Sequence, residues 1–210
     1  MIGSLSPLSY RPGKSALALG AFYFLLATPV ARDFLEASMT RHMLVQMPLL
    51  VVIGIIAGRL VSPRVQDSLV IRLGGAWPCV IVAMFASSYW MLPRALDAAL
   101  TDPWAEVAKF ITLPFLVGFP LVLAWRRLTL IGRGFVWTNF FSMLAVLGWL
   151  YIVAPVRVCN SYLVNDQENA GWYMVIASVL LFLWWLGTLL AGGGVGPDKP
   201  DQNGPGGTLA

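Results

Sequence analysis

The side chains best suited to chemistry in this chain lie in one short segment. Met39, Met43 and Met47 recur every four residues, and His42 and Gln46 keep the same interval one position ahead of the second and third. Residues four apart are neighbours on a helix, so the spacing predicts a thioether stripe beside an imidazole–amide stripe. Thioether and imidazole donors suit cuprous copper. Met91, which follows Tyr89 and Trp90 at the end of another apolar stretch, is a further candidate sulfur. The candidate metal ligands are therefore His42, Met39, Met43, Met47 and Met91, with copper as the metal. The same residue types also serve plain packing, because methionine is a common filler between helices. Two cysteines and one histidine are few for a metalloenzyme, and the chain is expected to have no enzymatic activity of its own.

The elements that must position this segment follow from composition. Of 210 residues, 58% are hydrophobic and 11% charged, and the mean hydropathy is +0.75. A soluble domain carries about 25% charged residues, so lipid must be the solvent for most of this chain. A soluble enzyme, a nucleic-acid-binding module and a disulfide scaffold are excluded together. Crossing a hydrocarbon core of about 30 Å takes about 20 mostly apolar residues in a helix. Six stretches qualify, over 15–31, 43–61, 73–92, 110–125, 135–155 and 170–191. The fourth is expected to begin earlier, at Asp102-Pro103, an N-cap followed by proline at the first helical position. Period-2 alternation is absent, and open sheet cannot satisfy its backbone in lipid. The expected fold is an all-α polytopic membrane bundle of about six transmembrane helices. Its parts are a cytoplasmic N-terminal segment (1–14), a six-helix membrane domain (15–191) and a disordered cytoplasmic tail (192–210), rich in glycine and proline. The first stretch reads as a span and not a signal peptide, since Pro29 sits where a small cleavage residue belongs.

Lysine and arginine set the orientation. With the N-terminus inside, nine of the 14 fall on the cytoplasmic side (Arg11, Lys14, Arg59, Arg64, Arg72, Arg126, Arg127, Arg133, Lys199) and five outside (Arg32, Arg41, Arg94, Lys109, Arg157). Both termini are then cytoplasmic, and the methionine–histidine segment faces outward. Within the spans the notable polar side chains are Gln46 and Asn139, read as interhelical hydrogen-bonding groups. Pro48, Pro78, Pro114 and Pro120 bend their helices. Gly54 and Gly58 form a small-xxx-small pair that admits a close neighbour. Cys79 lies towards one side of the membrane and Cys159 at the other, so no bridge joins them.

Taken in order, these pieces resemble the CtaG family of cytochrome c oxidase assembly factors. The likeness rests on MTRHMLVQMPLL over 39–50, YWMLP over 89–93 followed by LDAALTDP over 96–103, VAKFIT over 107–112, and DQENAG over 166–171. Together they cover most of the chain. The resemblance implies a multi-pass bacterial inner-membrane protein that assists assembly or copper loading of a haem–copper oxidase. Its implied partners are oxidase subunits or a copper donor protein. It also implies outer-face histidines: His42 keeps the first, but Gln46, Met91 and Lys109 stand at the positions of the others. Methionine can ligate cuprous copper, glutamine is a poor substitute for imidazole, and a protonated lysine cannot ligate at all. Lys109 has a structural reading besides, as the ion-pair partner of Glu106 three residues before it, snorkelling to the surface. The alternatives are a respiratory-complex subunit with no chemistry of its own, a haem-bearing subunit using His42 and a methionine, and a small-solute transporter.

Overall fold

The computed structural model describes residues 12–191, so the terminal segment up to residue 11 and the 192–210 tail lie outside the described residues. Among the described residues every regular element is helical. The order is α1 (Pro12–Leu26), α2 (Pro29–Glu36), α3 (Met39–Leu60), α4 (Pro63–Arg72), α5 (Ala76–Met91), α6 (Pro93–Thr101), α7 (Pro103–Trp125), α8 (Leu130–Val153) and α9 (Val164–Leu190). Local sequence explains most of the starts. Helices α2, α4, α6 and α7 begin on proline, whose missing N–H costs nothing in the first turn. At α7 the Asp102 carboxylate also accepts from the Trp104 amide at 3.0 Å, the cap expected from Asp102-Pro103.

Four helices, α3, α7, α8 and α9, are long and apolar enough to cross a bilayer unaided. The other two expected spans are bent pairs. Helix α1 turns into α2 at 64°, and α4 turns into α5 at 82°. At 15 and 16 residues, α1 and α5 reach only about 22 and 24 Å, short of the hydrocarbon thickness. The sharper bend is made at Gly74 and Gly75, with φ of +84° and +110°, which residues carrying a Cβ rarely adopt. Among the described residues there are thus four to six candidate crossings, and the expected 15–31 and 73–92 spans are each shorter and meet a bend, after Leu26 in the first and at Gly74–Gly75 in the second.

Two helices also carry π-turns, His42–Gln46 in α3 and Leu113–Gly118 in α7. Each lies against proline, Pro48 in the first case and Pro114 and Pro120 in the second. An extra residue in the turn relieves the clash of a proline ring with the carbonyl four residues back. Helices α3 and α7 cross where Gly54 meets Pro114 and Gly118 meets Val51. Gly58 lies against Val122 on the same face, so the small-residue pair does admit a neighbour as expected. Helices α8 and α9 form an antiparallel hairpin closed by Gly148 and Gly171.

The two ends of the bundle differ. One gathers arginines: Arg127 pairs with Asp67 at 2.7 Å, and Arg133 donates to the Trp125 carbonyl at 3.3 Å. The other gathers α2, the start of α3, α6, the start of α7, the 154–163 connection and the start of α9. Both cysteines are buried and unbridged, as expected.

Candidate functional site

The structure places all four candidate methionines in one apolar cluster. Met39, Met43 and Met47 are buried, and Met91 joins them. His42 lies beside this cluster in a polar chamber assembled by three elements. Helix α2 supplies Glu36, the π-turn of α3 supplies His42 and Gln46, and α7 supplies Lys109. Helix α2 is amphipathic in an unusual sense: Val30 and Phe34 point outward, whereas Arg32 and Glu36 point in. Their spacing of four residues puts both on one stripe.

Lys109 is the centre of the chamber. Its side chain is wholly buried, and Nζ lies 2.7 Å from Glu36 Oε1, 3.2 Å from Gln46 Oε1 and 3.3 Å from His42 Nε2. Gln46 Nε2 in turn donates to Glu36 Oε1 at 2.9 Å. This corrects two expectations. Lys109 does not snorkel, and its ion-pair partner is Glu36, not Glu106. Glu106 is instead paired with Arg32. The two pairs balance, two cations against two anions. An unpartnered charge here would be expensive, because the neighbours are apolar side chains and lipid.

Proton bookkeeping fixes the state of His42. The Tyr162 hydroxyl donates to the Glu36 carbonyl at 2.9 Å, so its single proton is spent. Tyr162 lies in the connection between α8 and α9, where burial first, then the Glu36 and Asp166 carboxylates, push its phenol above the ordinary range and keep it protonated. The 3.0 Å contact between His42 Nδ1 and the Tyr162 oxygen must then have the imidazole N–H as donor. That assigns the proton to Nδ1 and leaves Nε2 as the acceptor facing Lys109. The ammonium therefore finds one acceptor for each of its three N–H groups.

Further bonds tie the remaining connections to the chamber. Asp166 accepts from the Met39 amide at 3.1 Å and the Ser38 hydroxyl at 3.4 Å. Asp97 on α6 accepts from the amides of Asn160 and Ser161 at 2.8 and 3.1 Å. Gln167 accepts from the Val158 amide at 2.8 Å and donates to the Tyr151 carbonyl at 3.2 Å. Trp90 donates to Thr112 at 2.7 Å. The expectation that Gln46 makes a hydrogen bond between elements holds, and Asn139 contacts Met84 Sδ at 4.0 Å.

Cys159 sits under this platform, wholly buried. Burial, reinforced by the Asp97 carboxylate, pushes its thiol from 9.0 up to about 12. Below pH 9 the thiol is neutral whether the chain is folded or not. Between 9 and 12 only the unfolded thiol ionises, so this group's contribution to stability is lost as pH rises through that window. A thiolate-seeking maleimide at pH 8 is expected to leave Cys159 unlabelled in the folded protein and to label it after denaturation. Rapid labelling of the folded Cys79→Ser protein would show that the platform is open.

Glu36, Arg32 and Tyr162 were not among the sequence candidates. The only sequence signal for the first two was their four-residue spacing on a segment otherwise read as a connection. Nothing local marks Tyr162. Among the described residues, no three histidine, cysteine or acidic side chains are grouped as a metal would need. With Nδ1 donating to Tyr162 and Nε2 accepting from Lys109, His42 has no lone pair free. As arranged, the imidazole of the expected ligand set is not free to ligate copper.

No protein-family model matches the chain, and no curated protein or solved structure is similar to it.

Proposed function

We propose that the protein is a non-enzymatic membrane protein that assists assembly of a haem–copper oxidase, docking an oxidase subunit or a copper donor protein on the His42 end of the bundle. In this reading it resides in a bacterial inner membrane with both termini cytoplasmic, and the chamber end faces outward. The order of the four sequence segments relative to the helices supports the family context. The observation that carries the docking role is that the three connections at this end are joined to one another by side chains. Arg32 and Glu36 bind α7 through Glu106 and Lys109, Tyr162 binds Glu36 and His42, and Asp97 binds the 160–161 backbone. A surface fixed in this way loses little conformational entropy when a partner binds. Val30, Phe34 and Trp104 offer exposed apolar area around it.

Deleting the gene is expected to lower the amount of assembled oxidase, measured as terminal oxidase activity and haem absorbance in membranes. Normal oxidase content and copper loading in the deletant would refute the proposal. A permanent subunit without chemistry of its own would have the same docking surface, but it would co-purify with the mature enzyme, whereas an assembly factor leaves it.

A further inference from the structure

We infer that the chamber is a cation site filled by the chain's own Lys109 ammonium, so that His42 takes no copper in the native protein and becomes a metal ligand once that ammonium is removed. The inference stands on geometry and does not depend on the oxidase reading.

Three acceptors of different kinds converge on a single buried point: a carboxylate oxygen of Glu36, the amide oxygen of Gln46 and the imidazole Nε2 of His42. They come from two different elements, α2 and the π-turn of α3, while the group they surround comes from a third. An arrangement of acceptors around one point is what a bound cation requires, and here its place is taken covalently. A salt bridge alone would need only Glu36. The additional aim of Gln46 and His42 at the same nitrogen spends all three N–H donors and sets the imidazole tautomer that presents a lone pair to the cation. The proton on Nδ1 is held by Tyr162, which is itself held by the Glu36 carbonyl. An imidazole steered by a second group on its far nitrogen is the arrangement metal-binding histidines use. In this chain it serves an ammonium.

A cuprous ion carries the same single positive charge as the ammonium. Exchanging one for the other leaves the balance with Glu36 unchanged and requires no redox step. Lys109→Met is the informative substitution, because it keeps the unbranched stem, removes the charge and offers a thioether beside His42. Purified protein in detergent would be loaded with Cu(I) under anaerobic reducing conditions, challenged with a chromogenic Cu(I) chelator and assayed for metal. The wild type is expected to retain no copper above the level of its His42→Ala variant. Lys109→Met is expected to retain about one copper per chain, and Lys109→Met/His42→Ala none. Copper should raise the thermal midpoint of Lys109→Met and leave that of the wild type unchanged, since only a ligand of the folded state stabilises it.

Stoichiometric copper in the wild type that is lost in His42→Ala would overturn the inference, because the imidazole would then be free to ligate with the ammonium in place. Failure of a folded Lys109→Met protein to bind copper would overturn it too, since the acceptors would not form a cation site. Should that variant not fold, Lys109→His keeps Glu36 in place, can pair with it as an imidazolium and as a neutral imidazole offers a second nitrogen beside His42, and gives the same two readings.

Discussion

Lys109→Met is expected to unfold about 3–5 kcal/mol more readily than the wild type, the cost of removing one member of a buried ion pair. The size of the effect comes from what remains. Glu36 keeps its carboxylate with only the Gln46 amide as a donor, and its side chain is only 12% exposed. His42 loses its donor as well, and Gln46 Oε1 is left without one. Two uncompensated acceptors add to the stranded charge. The measurement is reversible unfolding in mixed micelles, followed by helical circular dichroism. Glu36→Gln/Lys109→Met should recover a substantial part of the loss, because neutralising both partners strands no charge. If the single variant were as stable as the wild type, the chamber would be solvated and the description of Lys109 as a buried cation would fail.

The second large effect is expected at the crossing of α3 and α7. Gly54→Leu should destabilise the protein by about 3 kcal/mol or prevent the two helices from packing. A Cβ built on Gly54 overlaps the Pro114 carbonyl, and one on Gly118 overlaps the Val51 carbonyl. The obstacles are backbone atoms on both sides, so no side-chain rotamer can yield. Only separation of the helices would make room, and that would carry α7, with Lys109 and Glu106, away from α2. Gly54→Leu should therefore also expose Cys159 to maleimide more readily, through loosening of the chamber and its platform. Gly20→Leu on α1 is the control, because nothing lies within contact distance of a Cβ there. Its stability is expected to stay within about 0.5 kcal/mol of the wild type. A Gly54→Leu protein as stable as this control would show that the crossing is not close.

Composition and hydropathy were enough to establish a helical membrane bundle, because the cost of exposing backbone polar groups to lipid leaves few alternatives. The helix start at Pro103 was equally legible, since proline and the capping carboxylate of Asp102 act within one turn, whereas the starts at Pro29, Pro63 and Pro93 were not read from the sequence. The bends were less legible. The stretch over 73–92 is apolar throughout, yet Gly74 and Gly75 break it from α4, and apolarity does not report direction. The methionine stripe was visible as a spacing, but spacing alone does not say whether sulfur faces a cavity or a core. The fold placed Met39, Met43 and Met47 in the core.

What the sequence determined by itself is the helical membrane class and the four long apolar helices, because these depend on hydropathy along the chain and on the choice between water and lipid. What only the tertiary structure decided is the identity of partners. Lys109 has Glu106 one turn away, yet it binds Glu36, 73 positions back, and Glu106 binds Arg32. Local spacing makes a pairing available; the approach of α2 to α7, which buries Lys109 against Glu36 and leaves Arg32 partly exposed beside Glu106, decides which one is made. His42 follows the same rule: its type suggested a metal ligand, and the arrival of Tyr162 and Lys109 from distant elements engaged both of its nitrogens.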